Sequence, residues 1–301
     1  MIITGKYPNL RLRRNRKSDW SRRLVQESNL SVNDLILPIF IIDGKNKKES
    51  IKSMPEIFRY SVDKIPTILD RAVKNKIPMV ALFPYINKKL KNNSGDEALN
   101  ENNLVCRAIR LIKKKYKNKI GIMCDVALDP YTSHGHDGLL IKGKIQNDET
   151  IEILVKQSLL QAEMGCDVIA PSDMMDGRIG RIRKYLDKYK FQDVQILSYA
   201  AKYASSFYAP FREAVGSNKS LKGDKKTYQM DFNNSLEALR EISLDIKEGA
   251  DIVMVKPGMP YLDVIKSIKE NFKIPVFAYQ VSGEYSLIKN AIDRKLIKED
   301  S

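Results

Sequence analysis

Seven short, β-branched apolar runs recur along this chain, separated by longer amphipathic stretches, and that alternation restricts the fold more than any other feature. The runs are DLILPIFI (34–41), MVALFPYI (79–86), IGIMCDVAL (120–128), DVIAPSD (167–173), VQILSYAA (194–201), DIVMVKP (251–257) and PVFAYQV (275–281). Helical patterns lie between them. In 148–165, apolar residues at Ile151, Leu154, Val155, Leu159 and Ala162 fall on one face, and Gly165 ends the stretch. In 235–249, Ser235 opens the stretch, Glu237 sits in its first turn and Gly249 closes it. Near-continuous apolar strands alternating with helices predict an α/β fold with a parallel sheet covered on both faces.

The chain has 301 residues, 43% of them hydrophobic, enough for a single α/β barrel. Its longest gaps, 129–148 and 202–234, both follow the C-terminal end of a strand, where a TIM (β/α)8 barrel builds its active site. A doubly wound open sheet is the runner-up, but no glycine-rich phosphate turn follows the first strand. No linker divides the chain. The predicted organisation is a basic N-terminal arm, 1–33, followed by a catalytic barrel, 34–301.

Composition narrows the function class. The net charge of +15 invites a nucleic-acid partner, yet the excess is dispersed through KNKKES, NKKLKNN and LIKKKYKNK, with no interleaved aromatic–basic motif. Only RLRRNR (11–16) is concentrated, as a basic arm able to reach a partner subunit. No apolar run approaches the thickness of a bilayer, and the first residues carry no hydrophobic core after their charges. Three cysteines, Cys106, Cys124 and Cys166, are an odd number without close pairing, which suits a reducing compartment. A cytoplasmic protein without a membrane or nucleic-acid partner is expected.

Two consecutive strands end in lysine, VMVKPG at Lys256 and VQILSYAAK at Lys202. Strict alternation places Ile252, Met254 and Lys256 on one face, and Ile196, Ser198, Ala200 and Lys202 on one face of the neighbour. If these are inner faces, two ammonium groups share one pocket mouth. Burial and mutual repulsion both lower an amine pKa and prepare it for Schiff-base formation. The alternative is a pair of rim lysines extending to solvent. Beyond Lys202, residues 205–211 (SSFYAPF) form an aromatic loop suited to closing over a pocket. Arg212, Lys225 and Gln229 in the same gap suit a carboxylate. Ser282 follows the seventh strand. The third strand runs into DVALDPYTSHGHDG (125–138), which holds Asp125, Asp129, Asp137 and both histidines of the chain, His134 and His136.

DVALDPYTSHGHDG, APSDMMDGRIGRIR, SYAAKYASSFYAPFREA, GDKKTYQMD, EGADIVMVKPGMPYLD and YQVSGEY occur in this order and closely resemble the 5-aminolevulinate dehydratase (porphobilinogen synthase) family from Arg11 to Ser301. The resemblance implies a TIM barrel with an N-terminal arm through which homo-octamers assemble. It implies the condensation of two 5-aminolevulinate molecules to porphobilinogen, with loss of two waters, early in tetrapyrrole (heme) synthesis. By motif, Lys256 corresponds to the lysine that holds the first substrate as a Schiff base, and Lys202 to the one that engages the second. Arg212, Lys225 and Gln229 correspond to positions that bind the second substrate's carboxylate, with Lys225 standing where many members carry arginine. Ser282 corresponds to an anchor of the first substrate's carboxylate, and Ser172 and Tyr208 to further substrate-binding positions. Asp125 corresponds to an aspartate near the reacting centre, suited to moving a proton or orienting an amine.

The resemblance also bears on metal. Zinc-dependent members place three cysteines where this chain has Ala127, Asp129 and Asp137, and Cys124 lies off that pattern. No catalytic zinc is therefore implied. Asp129 and Asp137 offer hard oxygen ligands for Mg²⁺, while the histidines are expected to hydrogen-bond within the loop. A regulatory Mg²⁺ site in the family uses a glutamate fifteen residues before the Schiff-base lysine, here Glu241, with Asp173 as its outer-shell partner. On its own residues, Glu241 reads as part of a solvated helix face.

Family members continue with an eighth strand and a final helix, and that strand carries a tyrosine that shares the first carboxylate. In this sequence one helical stretch follows the seventh run. The expectation is a barrel without its closing strand and final helix, with bare edges on the first and seventh strands. Three functional readings follow: a working porphobilinogen synthase, an impaired or non-catalytic remnant of the family, and a Schiff-base aldolase on the same fold. The aldolase keeps the lysines but has no use for the aspartate loop or GDKKTYQMD.

Overall fold

The computed structural model describes residues 5–217 and 221–299. Its strands are β1 (Ile36–Ile42), β2 (Lys48–Ser50), β3 (Phe58–Ser61), β4 (Met79–Tyr85), β5 (Gly121–Val126), β6 (Leu139–Ile141), β7 (Lys144–Gln146), β8 (Val168–Pro171), β9 (Gln195–Lys202), β10 (Ile252–Lys256) and β11 (Val276–Ala278). The helices are α1 (Asp19–Leu24), α2 (Ile65–Lys74), α3 (Leu104–Tyr116), α4 (Asn147–Glu163), α5 (Arg178–Lys188), α6 (Ala209–Ala214), α7 (Ser235–Glu248), α8 (Leu262–Asn271) and α9 (Ser282–Asp293). The seven apolar runs became β1, β4, β5, β8, β9, β10 and β11. They pair in parallel, each with its sequence neighbours among the seven. The ends of the helical patterns hold as well: α7 begins at Ser235, and Gly249 closes it at φ +105°, a conformation glycine adopts without strain.

Two apolar layers follow from the alternation. Ile39, Ile41, Val80, Leu82, Ile122 and Val126 face outward and bury the apolar stripes of the surrounding helices, including Leu69, Ile109, Ile112 and Leu154. Phe40, Ala81, Phe83, Met123, Ala170 and Met254 face inward. Residues on the inner faces beyond these points stand at the C-terminal rim, and the candidate site is built there.

Two expectations need correction. In β9, the inner face carries Leu197 and Tyr199, whereas Ile196 and Ala200 face the helix layer. Ser198 also lies outward, with its hydroxyl 2.5 Å from Asp245 of α7. The register between β9 and β10 slips by one residue, so Ala200 and Ala201 both join the outer layer and Lys202 returns to the inside. An extra residue in a strand resets the period of two. Alternation therefore placed Lys202 correctly for the wrong reason.

The second correction concerns the first strand. Its edge is not bare, because β3 pairs in parallel with Phe40–Ile42, and β2 returns antiparallel on β3. The sheet runs from β11 at one end to β2 at the other, and among the described residues no strand pairs with the outer edge of β11. Helix α9, which follows β11, is tied to the connection between β2 and β3: Tyr285 Oη donates to Pro55 O at 2.6 Å, Ser286 Oγ to Ser53 O at 2.7 Å, and Lys289 pairs with Glu56 at 3.2 Å.

Candidate active site

Lys202 and Lys256 are direct partners across β9 and β10, each only 5% exposed. The Lys256 ammonium position lies 4.5 Å from the ring centre of Tyr279, 5.0 Å from Tyr199, 5.1 Å from Phe211 and 5.5 Å from Tyr208. Aromatic faces attract a cation, but they replace little of the water that it loses. Burial, reinforced by the charge of Lys202, brings the Lys256 pKa down to about 7, against the pull of Asp125, Asp129 and Asp137. Such an amine is substantially unprotonated at neutral pH, the requirement for attack on a carbonyl.

The acids beside it are not alike. Asp125, on the inner face of β5, is raised to about 6 by burial and by repulsion from Asp129, partly offset by Lys256 and Lys202. Asp137 moves the other way. Burial alone would raise it, but Lys202 at 3.3 Å and Lys225 at 2.7 Å hold its carboxyl well below the usual range. Lys202 Nζ also donates to the carbonyl oxygen of Ser172. Environments that push neighbouring carboxyls apart are how one site holds both a fixed counter-charge and a group able to exchange a proton.

The loop after β5 holds Asp129 and Asp137 against a lysine. Lys225 lies 3.4 Å from Asp129 as well as 2.7 Å from Asp137. Its cation stands where a metal bound by these two aspartates would stand, so the donor set does not fit a metal while Lys225 is in place. No group of three His, Cys, Asp or Glu side chains suited to a metal occurs among the described residues. The histidines pin loops together. His136 places Nδ1 3.0 Å from Tyr228 Oη and Nε2 2.7 Å from Lys222 O, and His134 Nε2 lies 3.2 Å from Asn93 O.

The segment from Tyr203 to Ser217 closes over the lysines. Tyr208 Oη sits 2.7 Å from Tyr203 O and 3.1 Å from Lys256 O. Ser282, at the start of α9, accepts from Phe211 N at 2.8 Å and donates to Phe207 O at 3.3 Å. The next residue must be glycine, since a Cβ on Gly283 would stand 2.5 Å from Phe207 O. The cavity at the lysines is about 30 Å³ and is lined by Asp125, Asp129, Asp137, Ser172, Lys202, Tyr208, Phe211, Arg212, Lys225, Gln229 and Lys256. With the lid segment in this position the cavity has room for little more than water.

Every sequence-assigned catalytic and substrate-binding residue therefore meets at this cavity except Ser282, whose hydroxyl is engaged by the lid backbone. Asp173 and Glu241 lie elsewhere. Asp173 is fully buried, raised to about 6 by burial, and accepts from Met175 N at 2.7 Å beside Arg178 at 3.5 Å. Glu241, on α7, is half-buried and faces a groove that carries Asp176, Asp224, Asp231 and Glu237 together with Lys144, Lys222 and Lys226. Burial, then repulsion from Asp245, raises its pKa. One half-buried carboxylate with acidic neighbours fits a cation that keeps most of its water, as Mg²⁺ does. Sequence reasoning missed Tyr199 and Tyr279 at Lys256. Tyr279 had a signal, an aromatic at the C-terminal end of the seventh run; Tyr199 was hidden by the slipped register.

The comparisons with known proteins agree with this geometry. The family model described as delta-aminolevulinic acid dehydratase matches residues 9–301. A delta-aminolevulinic acid dehydratase of Bradyrhizobium diazoefficiens is 61% identical over 94% of this chain and 80% of its own. One of Methanothermus sociabilis is 50% identical over 96% and 88%. The crystal structure of the porphobilinogen synthase of Toxoplasma gondii, in complex with its reaction product porphobilinogen, superposes with a TM-score of 0.92 at 45% identity, covering 96% of this chain and 82% of that one. Matches of this length and identity leave no place for a Schiff-base aldolase, and the chain belongs to the delta-aminolevulinic acid dehydratase family.

Proposed function

We propose that this chain is a porphobilinogen synthase that condenses two 5-aminolevulinate molecules with loss of two waters, using Lys256 and Lys202 as its Schiff-base lysines. The observation that carries the proposal is the pairing of two buried lysines across β9 and β10, with the Lys256 amine enclosed by four aromatic rings; burial there lowers its pKa to about 7. Lys256 Nζ attacks the ketone of the first substrate, a C=N bond forms, and the carbonyl oxygen leaves as water. Asp125, near 6, is the group able to take and return protons at that centre. Lys202 engages the second substrate, with Asp137 as its fixed counter-charge. Arg212, Lys225 and Gln229 supply cationic and amide donors for the second carboxylate. Ser172 and Tyr208 line the same space. Ser282 serves the first carboxylate once its hydroxyl leaves the lid amide that it now binds.

The metal assignments belong to the same proposal. Glu241 would hold a regulatory Mg²⁺, with Asp173 beyond Arg178 as its outer partner, and the ion would supply positive charge away from the reacting centre; both carboxylates bear on the charge of Arg178. At the aspartate loop, Lys225 provides the positive charge directly. Residues 5–33 form an arm with exposed Trp20 (65%), Leu24 (77%) and Leu30 (82%). Apolar side chains of that size in series suit burial against further copies of the chain, here proposed as a homo-octamer. Among the described residues no helix is long and apolar enough to cross a membrane. The three thiols are unpaired and buried, in keeping with a reducing cytoplasm.

The test is turnover. The purified chain, supplied with 5-aminolevulinate and Mg²⁺, is expected to release porphobilinogen, and Lys256→Ala to release none while folding normally. A folded wild-type protein that makes no porphobilinogen would overturn the proposal and favour the impaired remnant.

A further inference from the structure

Arg59, on β3, is 8% exposed and belongs to none of the groups above. Its guanidinium donates from Nε to Ala214 O at 2.7 Å and from Nη2 to Glu213 O at 2.6 Å. It stacks 4.5 Å over the ring of Tyr85, and Glu49 of β2 lies 3.6 Å from its Nη1. The two carbonyls stand at the C-terminal end of α6, where a cation is favoured; Glu213 O also accepts from Gly216 N at 3.1 Å, so the guanidinium adds a side-chain hold from β3 to an end that its own turn already closes. The joint is tight on its other side too. Gly216, at φ +69°, would place a Cβ 2.6 Å from the Tyr85 ring, and Lys91 Nζ donates to Gly216 O at 3.3 Å. Immediately upstream are Phe211, against Lys256, and Arg212, on the cavity wall.

The two ends of the lid are held differently. Its upstream part is tied by neutral hydroxyls, those of Tyr208 and Ser282. Its downstream end is tied by a buried, forked, charge-assisted pair of bonds, which are the stronger kind. Leaving a buried guanidinium without its acceptors would cost more again. The upstream part is therefore the part that yields, and the downstream end stays fixed to the barrel.

We infer that Arg59 is a positioning residue, which anchors the downstream end of the lid and thereby sets where Arg212 meets the second substrate's carboxylate. This rests on the porphobilinogen synthase reading of the site. Arg59 touches neither substrate; it acts through the backbone of 213–214. Lys256 itself is carried by β10, outside the lid.

The test compares wild type with Arg59→Ala in three measurements: steady-state kinetics, borohydride trapping of 5-aminolevulinate on Lys256, and hydrogen exchange. The variant is expected to raise KM on the order of tenfold, the effect of one or two lost hydrogen bonds. Trapping on Lys256 at saturating substrate stays at the wild-type level, and exchange speeds up across 211–217 but not in β4 or β9. Should Arg59→Ala fail to fold, Arg59→Lys keeps a buried cation without the fork that spans two carbonyls, and the same shifts are expected of it. Unchanged KM and unchanged lid exchange would overturn the inference, as would trapping that falls in step with turnover. The exchange measurement reads the anchor even in a protein that makes no porphobilinogen, so a failure of the assigned function is distinguishable from a failure of the anchor.

Discussion

Lys256 lies between two opposing influences, aromatic faces and three carboxylates that favour its ammonium form, and burial with Lys202 that disfavour it. The second pair wins by a wide margin and brings the group from 10.5 to about 7. A pH dependence follows. Below about 7 Lys256 is an ammonium and cannot attack, and below about 6 Asp125 is also protonated and cannot accept a proton. Both changes lower activity as pH falls, so kcat/KM is expected to rise with pH through an acid limb with a midpoint of about 7, then level off. Because the groups interact, the limb belongs to the cluster as a whole. A limb still climbing above pH 9 would mean that the reacting lysine keeps its ordinary affinity for protons.

Helix α7 lies between the active centre and the groove that carries Glu237 and Glu241. Asp245 sits one turn after Glu241 and faces Arg178 at 3.4 Å, and Arg178 faces Asp173, the residue after Ser172, whose carbonyl oxygen accepts from Lys202. Glu241→Ala is expected to abolish stimulation by Mg²⁺ while basal turnover persists, checked by titrating Mg²⁺ into the assay. Retained stimulation would remove Glu241 from the metal site. Elements of this kind were legible in the sequence to an uneven degree. The strands, the bounds of α7 and the two lysines follow from local pattern, because burial on both faces and helix termination are decided within a few residues. The slipped register in β9 was not legible, since one extra residue is invisible until the neighbouring strand fixes the pairing. Nor was the cover that β3 gives β1, or the pairing of Lys225 with Asp129 and Asp137, which brings together positions about a hundred residues apart.

At the scale of the whole molecule, α9 follows β11 at one end of the sheet and is tied to the β2–β3 connection at the other, and its first residues hold the lid. One element therefore links the two ends of the sheet and the cover of the site. The N-terminal arm, by contrast, leaves its apolar side chains in solvent in the single chain. Removing residues 1–33 is expected to convert a large homo-oligomer into smaller species, measured by light scattering, and an unchanged mass would show that assembly uses other surfaces. The central claim is narrower, that Lys256 carries the first substrate as a Schiff base. Borohydride reduction in the presence of 5-aminolevulinate, followed by peptide mapping, tests it directly. The account predicts a stable adduct on the peptide containing Lys256 in wild type, lost in Lys256→Ala; an adduct absent from that peptide in active wild-type enzyme would contradict it.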